Sequence, residues 1–170
     1  SPKPVVDVPH HFWQNARLHL PIVEQLMTDA VETPGTLGEA ASYHLSREGK
    51  RWRPLFLLAV AGELRCDLEA AQRVAAAVEL LHNASLVHDD LADRDAMRRG
   101  QETVWKRFGM TTALNLGDLF ITASYLLLAE IQTADVRRLT AIFAASTREI
   151  IAGHGLELDA ACTSSLRMDE

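Results

Sequence analysis

Residues 68–90, LEAAQRVAAAVELLHNASLVHDD, contain neither glycine nor proline, and apolar side chains at Leu68, Ala71, Val74, Ala75, Val78 and Leu81 recur at intervals of three and four. That period places them on one face of an α-helix. A helix of this length runs for about 36 Å at about 1.5 Å per residue, so other elements must pack along its side. Asp67 stands before it as a candidate N-cap, with Glu69 in the first turn. The few glycines and prolines fall between further apolar-periodic stretches, and nowhere do β-branched and polar residues alternate over a strand's length. Helices are predicted at 11–32, 36–46, 53–64, 68–91, 111–130 and 134–153. The fold class is therefore all-α, a bundle. The 170 residues suffice for one domain with a real core, spanning 1–170.

A net charge of −6 argues against a general nucleic-acid binder. The longest unbroken apolar run, LFLLAVAG, is far too short to span a bilayer, so no integral membrane segment is expected. No charged-then-apolar signal opens the chain. Cys66 and Cys162 match no metal-ligand spacing and read as reduced core thiols of a cytoplasmic protein.

The long helix ends in HDDLADRDAMRRG, residues 88–100, with carboxylates at Asp89, Asp90, Asp93 and Asp95 and arginines at 94, 98 and 99. On charge pattern alone this is a solvated helix end, in which Asp90 with Arg94 and Asp95 with Arg99 form i,i+4 pairs. Three features point further. Asp89 and Asp93 share a helix face with Cβ atoms about 5–6 Å apart, beside Asp90. Like charges at a helix C-terminus repel each other and oppose the helix dipole, which divalent cations would relieve. All-oxygen sites of this kind suit Mg²⁺, which completes its shell with waters and substrate phosphates. His82 lies two turns before Asp89 on the same face, and GKRWRP at 49–54 sets Gly49, Lys50, Arg51 and Arg53 at a helix start, a candidate anion site. One metal-binding cluster beside two cationic clusters suggests substrates carrying several phosphates. The apolar helix above them suggests a greasy remainder.

With these motifs the sequence resembles the trans-isoprenyl (polyprenyl) diphosphate synthases. GKRWRP is similar to the family's GKR-x-RP element. ELLHNASLVHDDLADRDAMRRG resembles the segment holding its first DDxxD motif and RRG. TVWKRFGMTTALNLGDLFITASYLLLAE resembles the stretch that follows, with Gly117-Asp118 at its helix start. The resemblance implies an isoprenoid-synthase-type helical bundle around a deep central cavity. The activity it implies is prenyl transfer, in which Mg²⁺-assisted departure of an allylic diphosphate is followed by attack of isopentenyl diphosphate. Asp89, Asp90 and Asp93 would bind Mg²⁺, Arg98 would contact the allylic diphosphate, and Lys50, Arg51, His82 and Arg99 would hold isopentenyl diphosphate. Leu81, Ala84 and Ser85 would line the chain-length pocket. Small residues at 84 and 85 imply a product of geranylgeranyl length or longer, with Leu81 as a later obstruction.

The chain departs from the family pattern in places. Trp105 stands where relatives carry histidine, and reads as packing. In AGHGLELDAAC, Leu156 falls at the family's glutamine, with Asp159 at a downstream acid and His154 nearby as a solvated histidine. Asp95 reads as a partner for Arg98 or Arg99. There is no second DDxxD, so the bundle is expected to be incomplete. The expected partner is a complementary chain carrying the second aspartate-rich motif, in a homo- or hetero-oligomer. A non-catalytic subunit of a heteromeric synthase and a class I terpene cyclase are the competing readings. GKRWRP with His82 and Arg99 favours elongation, since a cyclase needs no second anion site. A bundle lacking helices leaves apolar faces exposed. Purified alone, the chain should therefore self-associate and turn over little or no substrate, as light scattering and a radiolabelled isopentenyl diphosphate assay would show; a fully active 18.8 kDa monomer would contradict this.

Overall fold

In a computed structural model, residues 10–168 are described apart from Glu48 and Ala134, with side chains described from Phe12 to Leu156. The chain divides into two compact units, Ser1–Thr133 and Ala134–Glu170. The first unit holds α1 (His10–Leu18), α2 (Leu20–Ala30), α3 (Thr36–Leu45), α4 (Trp52–Glu63) and α5 (Leu68–Ala92). They are followed by a two-stranded hairpin, β1 (Met97–Arg98) and β2 (Gln101–Glu102), and by α6 (Val104–Phe108) and α7 (Met110–Ala129). The second unit is one helix, α8 (Val136–Met168). The fold is all-α, as the periodicity requires.

Several boundaries differ from the sequence expectation. The helix expected over 11–32 is two, because Pro21 starts a new helix in its first turn, with His19 as its N-cap. Proline lacks the N–H that would continue the first helix and restricts the residue before it. The last helix runs through Gly153 and Gly155 to Met168, past the expected end at 153. The loop after α5 contains the hairpin and α6, both too short for a periodicity argument to detect. Cys66 is exposed, not a core thiol, because it follows the left-handed Arg65 in the turn that closes α4. Cys162 lies outside the described side chains. Helix α7 is long and apolar enough to cross a membrane by length and composition. Its Ala113, Leu116, Gly117, Phe120, Ala123, Leu127 and Leu128 are nevertheless buried, and it makes its largest packing interface with α5.

α5 is the axis of the first unit, packed against α7, α4 and α2. Asp67 caps it as expected, accepting a hydrogen bond from the Ala70 amide at 2.8 Å. Its buried face is rotated from the predicted stripe. Leu68 is 46% exposed, and Val74, Val78 and Leu81 are only half-buried. The burial centres instead on Ala76, Leu80 and Val87 together with four polar residues, Gln72, Glu79, Asn83 and Asp90. The first and last of these stand 18 positions apart, about five helical turns, and the four fall in one row. Each is held by a different segment. Gln72 Nε2 donates to His19 Nδ1 at 3.3 Å, Arg51 Nη1 donates to Glu79 at 3.2 Å, His44 Nε2 donates to Asn83 Oδ1 at 3.0 Å and Arg98 Nε donates to Asp90 at 2.6 Å. Buried polar groups cost folding energy unless paired, so the row fixes which segment lies where along α5.

Gly117 permits the close approach of α7 to α5. A Cβ there would meet His88 Nε2 at 2.0 Å, where the imidazole donates to the Leu114 carbonyl at 3.2 Å. The two ion pairs of Arg51 should be unequal in weight. Glu79→Ala leaves the mostly buried Arg51 without its inner partner and should cost about 3 kcal/mol. Glu24→Ala removes a half-exposed partner of the same arginine and should cost under about 1 kcal/mol. Urea midpoints of the two variants against wild type would rank them.

Candidate functional site

The acidic end of α5 is shaped by how the helix stops. Asp93 is its C-cap, and Arg94 follows in the left-handed region at φ 57°. The Asp95 amide returns to the Asp90 carbonyl and the Arg94 amide to that of Leu91, the pairing of a Schellman turn with arginine in the usual glycine place. The helix therefore ends before Arg94, and the i,i+4 pairs expected for Asp90 with Arg94 and Asp95 with Arg99 have no helix to support them. The chain reverses at once. Arg98 pairs with Gln101 in the hairpin, and Arg99 and Gly100 form the turn at φ 51° and 79°. Positive φ at both positions is the two-residue turn that matches strand twist. It carries Arg98 back over α5 to Asp90.

The three aspartates consequently separate. Asp89 and Asp93 share the face of α5 that also bears Ser85, His82 and Val78, with Asp93 exposed and Asp89 half-buried. Asp90 lies about 100° round the helix, 1% exposed, with Oδ1 on Arg98 and Oδ2 buried without a hydrogen bond. Burial raises the Asp90 carboxyl above the usual range, and the Arg98 guanidinium opposes that shift.

The cationic side is built from the start of α4, α5 and the hairpin turn. Arg51, left-handed at φ 45° before α4, turns inward. Its guanidinium donates to Glu24, to Glu79 and to the Leu45 carbonyl, so it is an anchor of the loop. Gly49 leaves room beside it, since a Cβ there would lie 3.2 Å from Arg51 Nη1 and 3.5 Å from Arg99 Nη1. The hairpin turn thus comes back to the GKRWRP loop. His82 sits among these charges. Burial, and then repulsion from Arg53, Arg99 and Arg98, lower its pKa from 6.5 to about 4, with Asp89 pulling weakly the other way. The charges of Arg53, Arg98 and Arg99 therefore all act on one imidazole, and that of Asp89 acts in the opposite sense. Lys50 is exposed.

A profile of the polyprenyl synthetase family matches residues 34–170. The chain belongs to the polyprenyl synthetase family. It is 42% identical over 113 residues to heptaprenyl diphosphate synthase component 2 of Geobacillus stearothermophilus, covering 66% of this chain and 35% of that protein. It is 34% identical over 131 residues to geranylgeranyl diphosphate synthase of Methanosarcina mazei, covering 76% and 40%. Its fold matches the geranylgeranyl pyrophosphate synthetase of the archaeon Geoglobus acetivorans, with TM-score 0.74 and 34% identity over 83% of this chain and 46% of that one. It also matches a polyprenyl synthase of Caulobacter crescentus solved with calcium and isoprenyl diphosphate, with TM-score 0.77 and 29% identity over 86% and 44%. The chain thus spans less than half the length of each of these relatives.

Polyprenyl synthetases generally use Mg²⁺. Among the described residues no group of three His, Cys, Asp or Glu side chains is placed to cage a metal. What is present is a pair one helical turn apart on an open face, Asp89 and Asp93. That fits an ion which takes one or two carboxylates and fills its remaining positions with waters and phosphate oxygens. Along the same face Ser85 is half-buried, its hydroxyl on the His82 carbonyl, and Leu81 is half-buried. Ala84 is 1% exposed, on the packed side of α5 with Leu80 and Val87. A groove of about 1280 Å³ lies between α2, α3 and the loop to α4, and Leu81, Ser85 and Asp89 do not line it. Trp105 is structural, its indole donating to the Asp95 carbonyl at 2.8 Å beside the Thr103 hydroxyl at 2.7 Å. On α8, His154 is half-buried and Leu156 is 70% exposed; Asp159 lies outside the described side chains.

Charge spacing placed Arg53 in the GKRWRP anion site with Lys50 and Arg51, while the family resemblance gave it no substrate contact; in the structure it lies in the first turn of α4 and its charge acts on His82. Burial is the larger cause that keeps His82 neutral, and an anion bound near Arg53, Arg98 and Arg99 would cancel the repulsion they add to it. Inorganic diphosphate should therefore raise the His82 pKa from about 4 toward its ordinary value of 6.5, with net proton uptake on binding between those pH values. Imidazole proton shifts followed by NMR, with and without diphosphate, would report it.

Proposed function

We propose that this chain forms the part of a prenyltransferase site that binds the two diphosphates, and that the intact enzyme joins isopentenyl diphosphate to an allylic prenyl diphosphate. The reading is carried by one observation: the hairpin turn brings Arg99 back to the GKRWRP loop, and the charges of both act on His82, on the α5 face that also bears Asp89. An anion site beside a carboxylate pair suits substrates that bring phosphates to a metal. The relatives named as geranylgeranyl and heptaprenyl diphosphate synthases support it.

In this mechanism the C–O bond of the allylic diphosphate breaks and its electron pair leaves with the diphosphate. The double bond of isopentenyl diphosphate supplies the electrons of the new C–C bond, and a proton is then lost. Asp89 and Asp93 would hold Mg²⁺, whose positive charge supports diphosphate departure. Arg98 orients the leaving diphosphate, and its position depends on Asp90, which acts as the anchor of the hairpin. Arg53, His82, Arg99 and Lys50 hold isopentenyl diphosphate. His82 is neutral at pH 7 when free and so offers a hydrogen bond without adding charge. The tail lies along Ser85 and Leu81, where apolar surroundings keep water from the cation.

A complementary chain or segment supplies the facing carboxylates, in a homo- or hetero-oligomer. The relative named as component 2 of a heptaprenyl diphosphate synthase supports a two-part assembly. The exposed Trp52, Phe56, Leu114 and Leu126 supply apolar surface for such contacts.

Two substitutions test the assignment in the reconstituted enzyme. Asp89→Ala should lower turnover by orders of magnitude, roughly 10²-fold or more, with helicity by circular dichroism unchanged; wild-type turnover would overturn the carboxylate assignment. Ser85→Phe should shorten a product of geranylgeranyl length or longer, as chromatography of the dephosphorylated alcohols would show. Ala84→Phe should instead destabilise the fold, by about 1–3 kcal/mol or more, because it overpacks the buried face.

A further inference from the structure

The hairpin that presents Arg98 and Arg99 is tied down at two points besides the Asp90 pair. At its base, the Asp95 carbonyl accepts from Thr103 Oγ1 and Trp105 Nε1. At β2, the carbonyl of Glu102 accepts from two side chains of the α3 region, Tyr43 Oη at 2.9 Å and Arg47 Nη2. Met97 faces Glu102 in the register, next to the closely bonded pair at the turn. The Glu102 carbonyl therefore points away from β1 and has no partner within the ladder. Arg47 also lies over the Tyr43 ring, 4.6 Å from its centroid, and Arg107 lies 4.4 Å from the same centroid. Tyr43 in turn meets Phe108 edge to face at 5.4 Å. Arg47 Nε and Nη1 are buried without hydrogen bonds, and its charge acts on Asp90.

We propose that Arg47 is a positioning residue for the diphosphate site. It holds the outward Glu102 carbonyl together with Tyr43, fixes β2, and through the Arg99–Gly100 turn sets where Arg98 and Arg99 point. Among the described residues no carboxylate pairs with it; its partners are a ring and a backbone carbonyl, which is how a clamp differs from a solvated arginine. The inference rests on the reading of Arg98 and Arg99 as diphosphate ligands.

Amide hydrogen exchange over residues 98–103 and calorimetric binding of inorganic diphosphate, both on the intact protein, separate the two ideas. Arg47→Ala should speed exchange across the hairpin and weaken diphosphate binding, each by about tenfold, the scale of one hydrogen bond from a charged donor. Arg47→Lys, which retains a donor and the charge, should recover part of both. Tyr43→Phe removes one neutral donor and should give a smaller change, about threefold, with the thermal midpoint nearly kept; it carries the test if Arg47→Ala fails to fold. Wild-type exchange in both Arg47→Ala and Tyr43→Phe would overturn the clamp. Arg99→Ala is the control for the site itself. If it binds diphosphate as wild type does while Arg47→Ala frees the hairpin, the clamp stands and the diphosphate reading falls.

Discussion

Four buried polar residues in one row on α5 organise the first unit. Gln72, Glu79, Asn83 and Asp90 are each at most 7% exposed, and each takes its partner from a different segment: His19, Arg51, His44 and Arg98. Apolar packing alone is tolerant of sliding, because one methyl group replaces another at little cost. A buried carboxylate that loses its guanidinium is left with an uncompensated charge. The row therefore sets register along α5, while buried apolar side chains such as Leu80, Val87, Leu116 and Phe120 contribute burial energy of about 1.5–3 kcal/mol each.

The same row joins stability to the site. Glu79 holds Arg51 at the start of α4, which places Gly49 and Arg53. Asp90 holds Arg98, which places the hairpin and Arg99. The charges of both arms act on His82, whose imidazole is kept neutral by burial and then by these cations. Asp89 and Asp93 stand apart from the row and remain on the open face. Neighbouring aspartates thus stand in different surroundings: Asp93 is exposed and Asp89 half-buried on one face of α5, while Asp90 faces inward as an anchor. The left-handed arginines at 51, 94 and 99 are the turns that make this possible. Left-handed backbone costs a residue with a Cβ about 1 kcal/mol or more, and at 51 and 94 it is offset by hydrogen bonds made on both sides of the turn.

The sequence by itself determined the all-α class, the position and cap of α5, the family and the cluster of charge at the helix end. These follow from local rules: a period of 3.6, an aspartate before a helix, like charges packed within a few residues. What it could not show was which way each charge points. The predicted apolar stripe caught Ala71 and Ala75 but not the rest of the buried face, because alanine-rich sequence is apolar on several sides, and the polar residues that define the core face do so only once distant partners arrive. Asp90, Asp89 and Asp93 are equivalent in one dimension. Only the return of the hairpin, a feature too short to carry a periodic signal, separates the anchor from the open pair, because burial and pairing are properties of neighbours in space. For the same reason Arg51 and Arg53, which spacing grouped in one anion site, end in different surroundings: packing buries the first against Glu79, while the charge of the second acts on His82.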